Sequence, residues 1–388
     1  MSIIKAIHAS RAPFFGLGCV GIYWGCFAAM VPDIKAQTGA SDSQFGLALM
    51  GAAVGGMVAM FMAPKLSKSL GKFLLPVLAL VLAILMQFPI FAQSLLSLFT
   101  FLIIMGAGVA SFDICTNMRL SELEERHSLH LMNANHAMFS LCFGLSALIG
   151  GGLRQVGLEP SQIFPTMGGV LLVMSVFTWE RNWQPVEADA SAKPVPKRLP
   201  WFFILLVAVM LFVSFLGENS IESWSALFLE RELGSAPGEG SFGPTTLGLV
   251  MCVIRLLGQV FTEKLGEERI VFWSGILGML GATVIALAPT QTIALIGIGL
   301  CATGMAVIVP TANSLLGKLV HREQRAIAIS RAWLFGFTGF FVGPALIGFV
   351  SDLWGLRVAF AVVAILIAVI IPAVIAVQMR RAYLANTA

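Results

Sequence analysis

Apolar residues run along this chain in stretches of about 20, separated by short clusters of charge, Pro and Gly. A helix that crosses a bilayer needs about that length, because no backbone polar group can stay unpaired in hydrocarbon. Cutting the sequence at its polar clusters predicts about twelve spanning helices. They cover residues 13–32, 43–63, 73–92, 96–117, 130–152 and 162–179, then 200–229, 244–263, 270–289, 292–314, 326–350 and 357–378. The longest polar stretch, ERNWQPVEADASAKPVPKRLP, falls between the sixth and seventh spans and reads as a linker. The expected organisation is a bundle over residues 1–180, a cytoplasmic linker over 181–199 and a second bundle over 200–388.

Composition supports a polytopic membrane protein. Hydrophobic residues make up 58% of the 388 and charged residues 11%, against about 25% charged in a soluble chain. The net charge of +4 would fit a nucleic-acid partner only if the cations formed a patch, and none does. They sort by topology instead. With the N-terminus inside, the Lys and Arg residues fall in cytoplasmic loops, except Lys35, Arg154, Arg231 and Arg357 outside and Arg255 and Arg331 within spans. Both termini are therefore expected in the cytoplasm. The basic start followed by a long apolar run reads as the first span rather than a cleaved leader. The six Cys residues lie in apolar runs without paired or metal-like spacing, so they read as packing residues, and neither metal nor cofactor is expected.

The two halves repeat each other. KLSKSLGK after the second span and TEKLGEER after the eighth align at Gly71 and Gly266, and HAMFSLCFGLSALIGG aligns with RAWLFGFTGFFVGPAL, pairing His136 with Arg331 and Gly144 with Gly339. These pairs share one offset, and Asn117 meets Asn313 with a one-residue gap. Duplicated bundles are common among transporters.

Two six-helix halves, a cytoplasmic linker and a short loop after the second helix of each half together resemble the major facilitator superfamily over essentially the whole chain. The family's loop signature, Gly-x-x-x-Asp-Arg-x-Gly-Arg-Arg, latches the cytoplasmic side through its acid. The second half keeps Glu263, Lys264 and Gly266, while the first keeps Gly71 and Lys72 and has Lys68 where the acid belongs. Asp113-x-x-x-Asn117, MNANHAMFS and GENSIESWSALFL look like the fucose-permease-related branch and its YbjJ-type inner-membrane proteins. That branch implies proton-linked transport of a small polar solute, often a sugar.

An ionisable side chain inside a span costs about 2.5 to 3.5 kcal/mol on insertion scales, so each one needs a reason. Asp113 and Asn117 are one turn apart on the fourth span, and His136 enters the fifth at similar depth, a possible proton-sensitive pair with Asp113 or a cluster that ties two helices. Glu218 and Glu222 are one turn apart on the seventh span beside Asn219. Two carboxylates this close, where water is scarce, suit a group that loads and releases a proton. Arg255 in the eighth span needs an anionic partner, either one of these carboxylates or substrate, or else it braces helices as part of the loop signature. Tyr23, Trp24, Asn313 and Trp333 are candidates to line a solute cavity. The residues expected to carry the proton are thus Asp113, Glu218, Glu222 and His136.

No nucleophile elbow, zinc spacing or phosphate loop occurs, so an enzyme is not expected. The expectation is a monomeric secondary transporter of the bacterial inner membrane that moves a sugar-like solute with protons by alternating access. Proton-antiport efflux of drugs or metabolites is one alternative, and a non-transporting sensor on the same fold is another.

Overall fold

The computed structural model describes residues 7–127, 129, 131–180, 199–321 and 324–387, with the backbone alone described for 258–264, 326 and 384–387. Among these residues every regular element is helical. In chain order they are α1 (Arg11–Thr38), α2 (Asp42–Leu70), α3 (Leu74–Leu85), α4 (Leu95–His127), α5 (Met132–Gln155), α6 (Pro160–Ser175), α7 (Trp201–Leu233), α8 (Phe242–Leu265), α9 (Glu267–Leu287), α10 (Gln291–Leu319), α11 (Arg325–Gly336), α12 (Thr338–Ala368) and α13 (Ile370–Thr387). Short 3₁₀ turns at Gly71–Phe73, Phe88–Phe91 and Val176–Thr178 end or join them.

Ten apolar runs are long enough to cross a bilayer among the described residues. Two of them, Asp42–Phe91 and Ile327–Tyr383, contain 50 and 57 residues. As straight helices they would extend roughly 75–85 Å, more than twice a hydrocarbon core of about 30 Å. Each is broken by a glycine in a conformation that L side chains rarely adopt, Gly71 at φ 53 and ψ −128 and Gly355 at φ 84 and ψ 163. Large apolar side chains stand exposed along the helices, among them Phe61, Leu96, Leu287 and Ile365. In water this would be an aggregation surface, and in lipid it is the solvated face.

Several helices project past the predicted spans. The α4 helix continues to His127 rather than ending near residue 117, and its last turns carry Arg119, Glu122 and Glu124. Charge ends the apolar run before it ends the helix, because Arg119 is satisfied by Glu122 (2.5 Å) and by Glu180 at the far end of the bundle (2.5 Å). Glu124 accepts hydrogen bonds from the backbone N–H groups of Leu131 (2.5 Å) and Met132 (2.9 Å), which satisfies donors at the start of α5.

Compactness divides the chain into Met1–Glu187 with Glu222–Leu256, and Ala188–Ile221 with Leu257–Ala388. The expected linker lies at 181–199, and residues 181–198 are outside the described ones. The C-terminal part of α7, from Glu222, and most of α8 thus pack with the first bundle. Within that first unit, helices approach through small residues. A Cβ on Gly25 of α1 would meet the backbone of Phe143 on α5, and one on Gly106 of α4 would meet the backbone of Ala52 on α2. In the second unit, Gly281 of α9 sits against Cys301 of α10, and Gly339 and Gly343 of α12 sit against Phe212 and Leu216 of α7. The aligned glycines differ in their neighbours. Gly339 meets α7, whereas Gly144 meets Thr245 and Leu249 of α8.

Candidate functional site

The i, i+4 spacing on α4 brings Asp113 and Asn117 together as the sequence predicts. The Asn117 Nδ2 group donates to Asp113 Oδ1 (3.2 Å) and to the Asp113 carbonyl (3.0 Å). Both side chains are half-buried. The second carboxylate oxygen, Oδ2, takes no protein hydrogen bond among the described residues, so it is open to a proton, water or solute hydroxyl.

His136 and Arg255 meet where α5 packs on α8. Arg255 Nη1 donates to Ser140 Oγ (2.5 Å), Ser140 Oγ donates to the His136 carbonyl (3.0 Å), and the guanidinium lies within electrostatic range of the imidazole. The same pair of helices closes through Gly144 against Gly248, and Gly151 of α5 meets Ser241 in the 3₁₀ turn just before α8. Within α8, Gly248 and Arg255 are one heptad apart, so one face of the helix carries both contacts. No hydrogen bond joins Asp113 to His136 among the described residues; the neighbour of His136 is Arg255.

Elsewhere in this unit two charge clusters join the first bundle to the C-terminal end of α7. Arg154 Nε meets Asp33 Oδ2 (2.5 Å) and its Nη1 meets Glu230 Oε1 (2.5 Å). The Glu230 carboxylate also accepts from the Gly238 N–H (3.1 Å). Beside it in sequence, Arg231 donates twice to buried Asp42 (2.8 and 2.7 Å), and Lys35 Nζ lies 3.0 Å from the same carboxylate. One cluster sets a cation between two anions, and the other an anion between two cations. Bidentate Arg–carboxylate geometry makes such contacts strong and directional.

On α7, Asn219 and Glu222 are buried and Glu218 is half-buried within electrostatic range of Cys301. The neighbouring Trp224 is fully buried, edge-on to Phe45. Tyr23 is also packed away at 1% exposure, while Trp24 is half-buried and edge-on to it at 5.2 Å. In the second unit Trp333 Nε1 donates to Asn313 Oδ1 (3.0 Å), uniting two residues the sequence proposed separately, and Phe215 lies 5.4 Å from the indole.

Gly71 and Gly266 both have positive φ, 53 and 80, and each precedes the next helix. Lys72 Nζ lies over the rings of Phe73 and Trp179. The side chains of Glu263 and Lys264 are outside the described residues.

Sequence reasoning missed Asp33, Asp42, Ser140 and Glu230. A signal for three of them was present: Lys35, Arg154 and Arg231 break the positive-inside pattern, and each proves to be held by one of these carboxylates. The fourth exception, Arg357, donates to the carbonyls of Ala286 (3.3 Å) and Ala288 (2.7 Å) at the end of α9.

Among the described residues, long apolar helices with few, grouped internal charges define a polytopic helical membrane protein, and comparison with known proteins gives the family. The chain matches the Major Facilitator Superfamily over residues 13–301 and 207–383. It belongs to that superfamily. It is 26% identical to an uncharacterised MFS-type transporter of Yersinia pestis, with 92% of each chain covered. It is 27% identical to an uncharacterised transporter of Sinorhizobium fredii, covering 91% of this chain and 94% of that one. Among solved structures, a bacterial homologue of the human lysosomal transporter Spinster, inward-facing and occupied, superposes with a TM-score of 0.72 at 15% identity over 96% of each chain. The unoccupied form gives 0.74 at 14% identity, covering 96% of this chain and 97% of that one. These structures share the fold.

Proposed function

We propose that this transporter moves a small polar, sugar-like solute with protons by alternating access across a bacterial inner membrane. In this reading the chain is a monomer of the fucose-permease-related branch. Taken as two crossings each, the two long apolar runs broken at Gly71 and Gly355 bring the number to about twelve; an even number puts both termini on one side, and the Lys and Arg of the loops favour the cytoplasm for it. The supporting observation is the half-buried Asp113 carboxylate, held by Asn117 on one oxygen and open on the other. A carboxylate so placed changes charge with solvent access, which is what coupling a solute to a proton needs. Glu218 and Glu222 are the second candidate pair. The indole–amide pair of Trp333 and Asn313 is the candidate solute contact, a flat apolar face beside amide hydrogens.

The test uses proteoliposomes with an imposed pH gradient and a solute first identified by thermal-shift screening of sugars, amino acids, organic acids and drugs. Asp113→Asn or Glu218→Gln abolishes gradient-driven flux while the protein stays monodisperse with an unchanged melting temperature. Wild-type flux in both variants rejects proton coupling through these groups. Saturable binding without any flux in the wild type points to a sensor.

A further inference from the structure

The cations of this chain are used in two different ways. Lys35, Arg154 and Arg231 are held by carboxylates, and Arg357 by backbone carbonyls. Arg11 and Lys72, at the start of α1 and in the turn before α3, have no carboxylate partner among the described residues. Both instead gather on Trp179, just beyond α6. Arg11 Nη2 donates to the Trp179 carbonyl (2.6 Å), and Lys72 Nζ lies 5.3 Å from the Phe73 ring centre and 5.9 Å from that of Trp179. The two rings pack edge-on at 5.1 Å. Trp179 and Phe73 are 40% and 46% exposed, so the rings lie open beside the cations.

Next to them is a shallow surface recess, lined by Gly71, Lys72, Leu75, Arg119, Thr178 and Glu180. The one carboxylate in its wall, Glu180, is already bound to Arg119. The local sequence from Pro64 to Phe73 adds exposed Lys65 and Lys68 and contains no acid. A cationic, aromatic-edged recess next to an apolar helix surface matches a phosphodiester headgroup with acyl chains attached. Interfacial rings hold the headgroup depth, and Lys and Arg neutralise its charge.

We propose that Arg11, Lys72 and Trp179 form a binding site for the headgroup of an anionic phospholipid. Among the described residues around these cations, Glu180 is taken up by Arg119 and the segment from Pro64 to Phe73 carries Lys68 and no acid, which favours a net-negative headgroup over a zwitterionic one.

Purified protein in neutral detergent is titrated with dioleoylphosphatidylglycerol, dioleoylphosphatidylcholine or glycerol phosphate while its melting temperature is followed. Wild type gains stability from phosphatidylglycerol well beyond that from phosphatidylcholine, and glycerol phosphate alone gives no gain. At about five-fold in affinity per interfacial cation, the Arg11→Gln/Lys72→Gln variant needs roughly 30-fold more phosphatidylglycerol for half-maximal effect. Arg126→Gln/Arg269→Gln, which removes equal charge from exposed positions, keeps the wild-type response. The proposal is overturned if wild type shows no preference for phosphatidylglycerol, if both double variants respond alike, or if glycerol phosphate reproduces the gain. Lipid retained through purification gives a second reading that needs no variant: phosphatidylglycerol enriched over phosphatidylcholine supports the site, and equal retention overturns it.

Discussion

Replacing Arg154 with Gln tests how the charge clusters hold the first unit together. The Arg154 side chain is 7% exposed and sits between Asp33, 31% exposed, and Glu230, 14% exposed. Removing one partner from a buried pair costs about 3–5 kcal/mol, mostly because the other charge is left without compensation. Two features bring the figure to the lower end. The Asp33 side chain is partly exposed, which screens its charge although its Oδ2 atom is buried, and Glu230 keeps its bond from the Gly238 N–H. The expected loss is about 3 kcal/mol, and at roughly 2 °C per kcal/mol in a large unit the melting temperature falls by about 6 °C. The triple variant Arg154→Gln/Asp33→Asn/Glu230→Gln removes the stranded charges as well, so it returns to within about 2 °C of wild type. Thermal unfolding in detergent reads all of these. A single variant as stable as wild type, or a triple variant as unstable as the single, refutes the reasoning.

Packing and site contacts give two more expectations. A Cβ at Gly25 would fall 2.9 Å from Phe143 Cα and closer still to its carbonyl, so Gly25→Ala lowers stability by about 2 kcal/mol or more, while Gly152→Ala, with nothing near the added carbon, stays within about 0.5 kcal/mol. Thermal unfolding of the two side by side separates them. Trp333→Phe keeps an aromatic face but loses the bond to Asn313, so stability falls by about 1 kcal/mol and the freed amide can turn its oxygen outward. Half-saturation for solute flux then changes more than maximal rate, and an unchanged half-saturation removes Asn313 from the solute contact.

Much of this protein is legible in sequence because the governing constraints are local. The requirement for about 20 apolar residues per crossing acts within one segment. The pairing of Asp113 with Asn117 needs only a helical turn. Gly71 and Gly266, aligned in the sequence, both take positive φ ahead of the next helix, a conformation that glycine adopts at little cost. Periodicity also misleads where charge and helix end at different places, as in α4, whose charged last turns are stabilised by Glu180, 61 residues away.

What tertiary structure alone decided is which distant groups meet. Arg154 finds Glu230 across 76 residues and Asp33 across 121, and Arg231 finds Asp42 across 189. Arg255 finds Ser140 across 115 residues, and Trp333 finds Asn313 across 20. Hydropathy states that each such group is costly in lipid and so must have a partner. It cannot name that partner, because the choice depends on how closely glycine-bearing helix faces approach and at what register. The chain alone therefore determined its solvent and its short list of charges. Close packing, such as Gly144 against Gly248, determined which of those charges face one another.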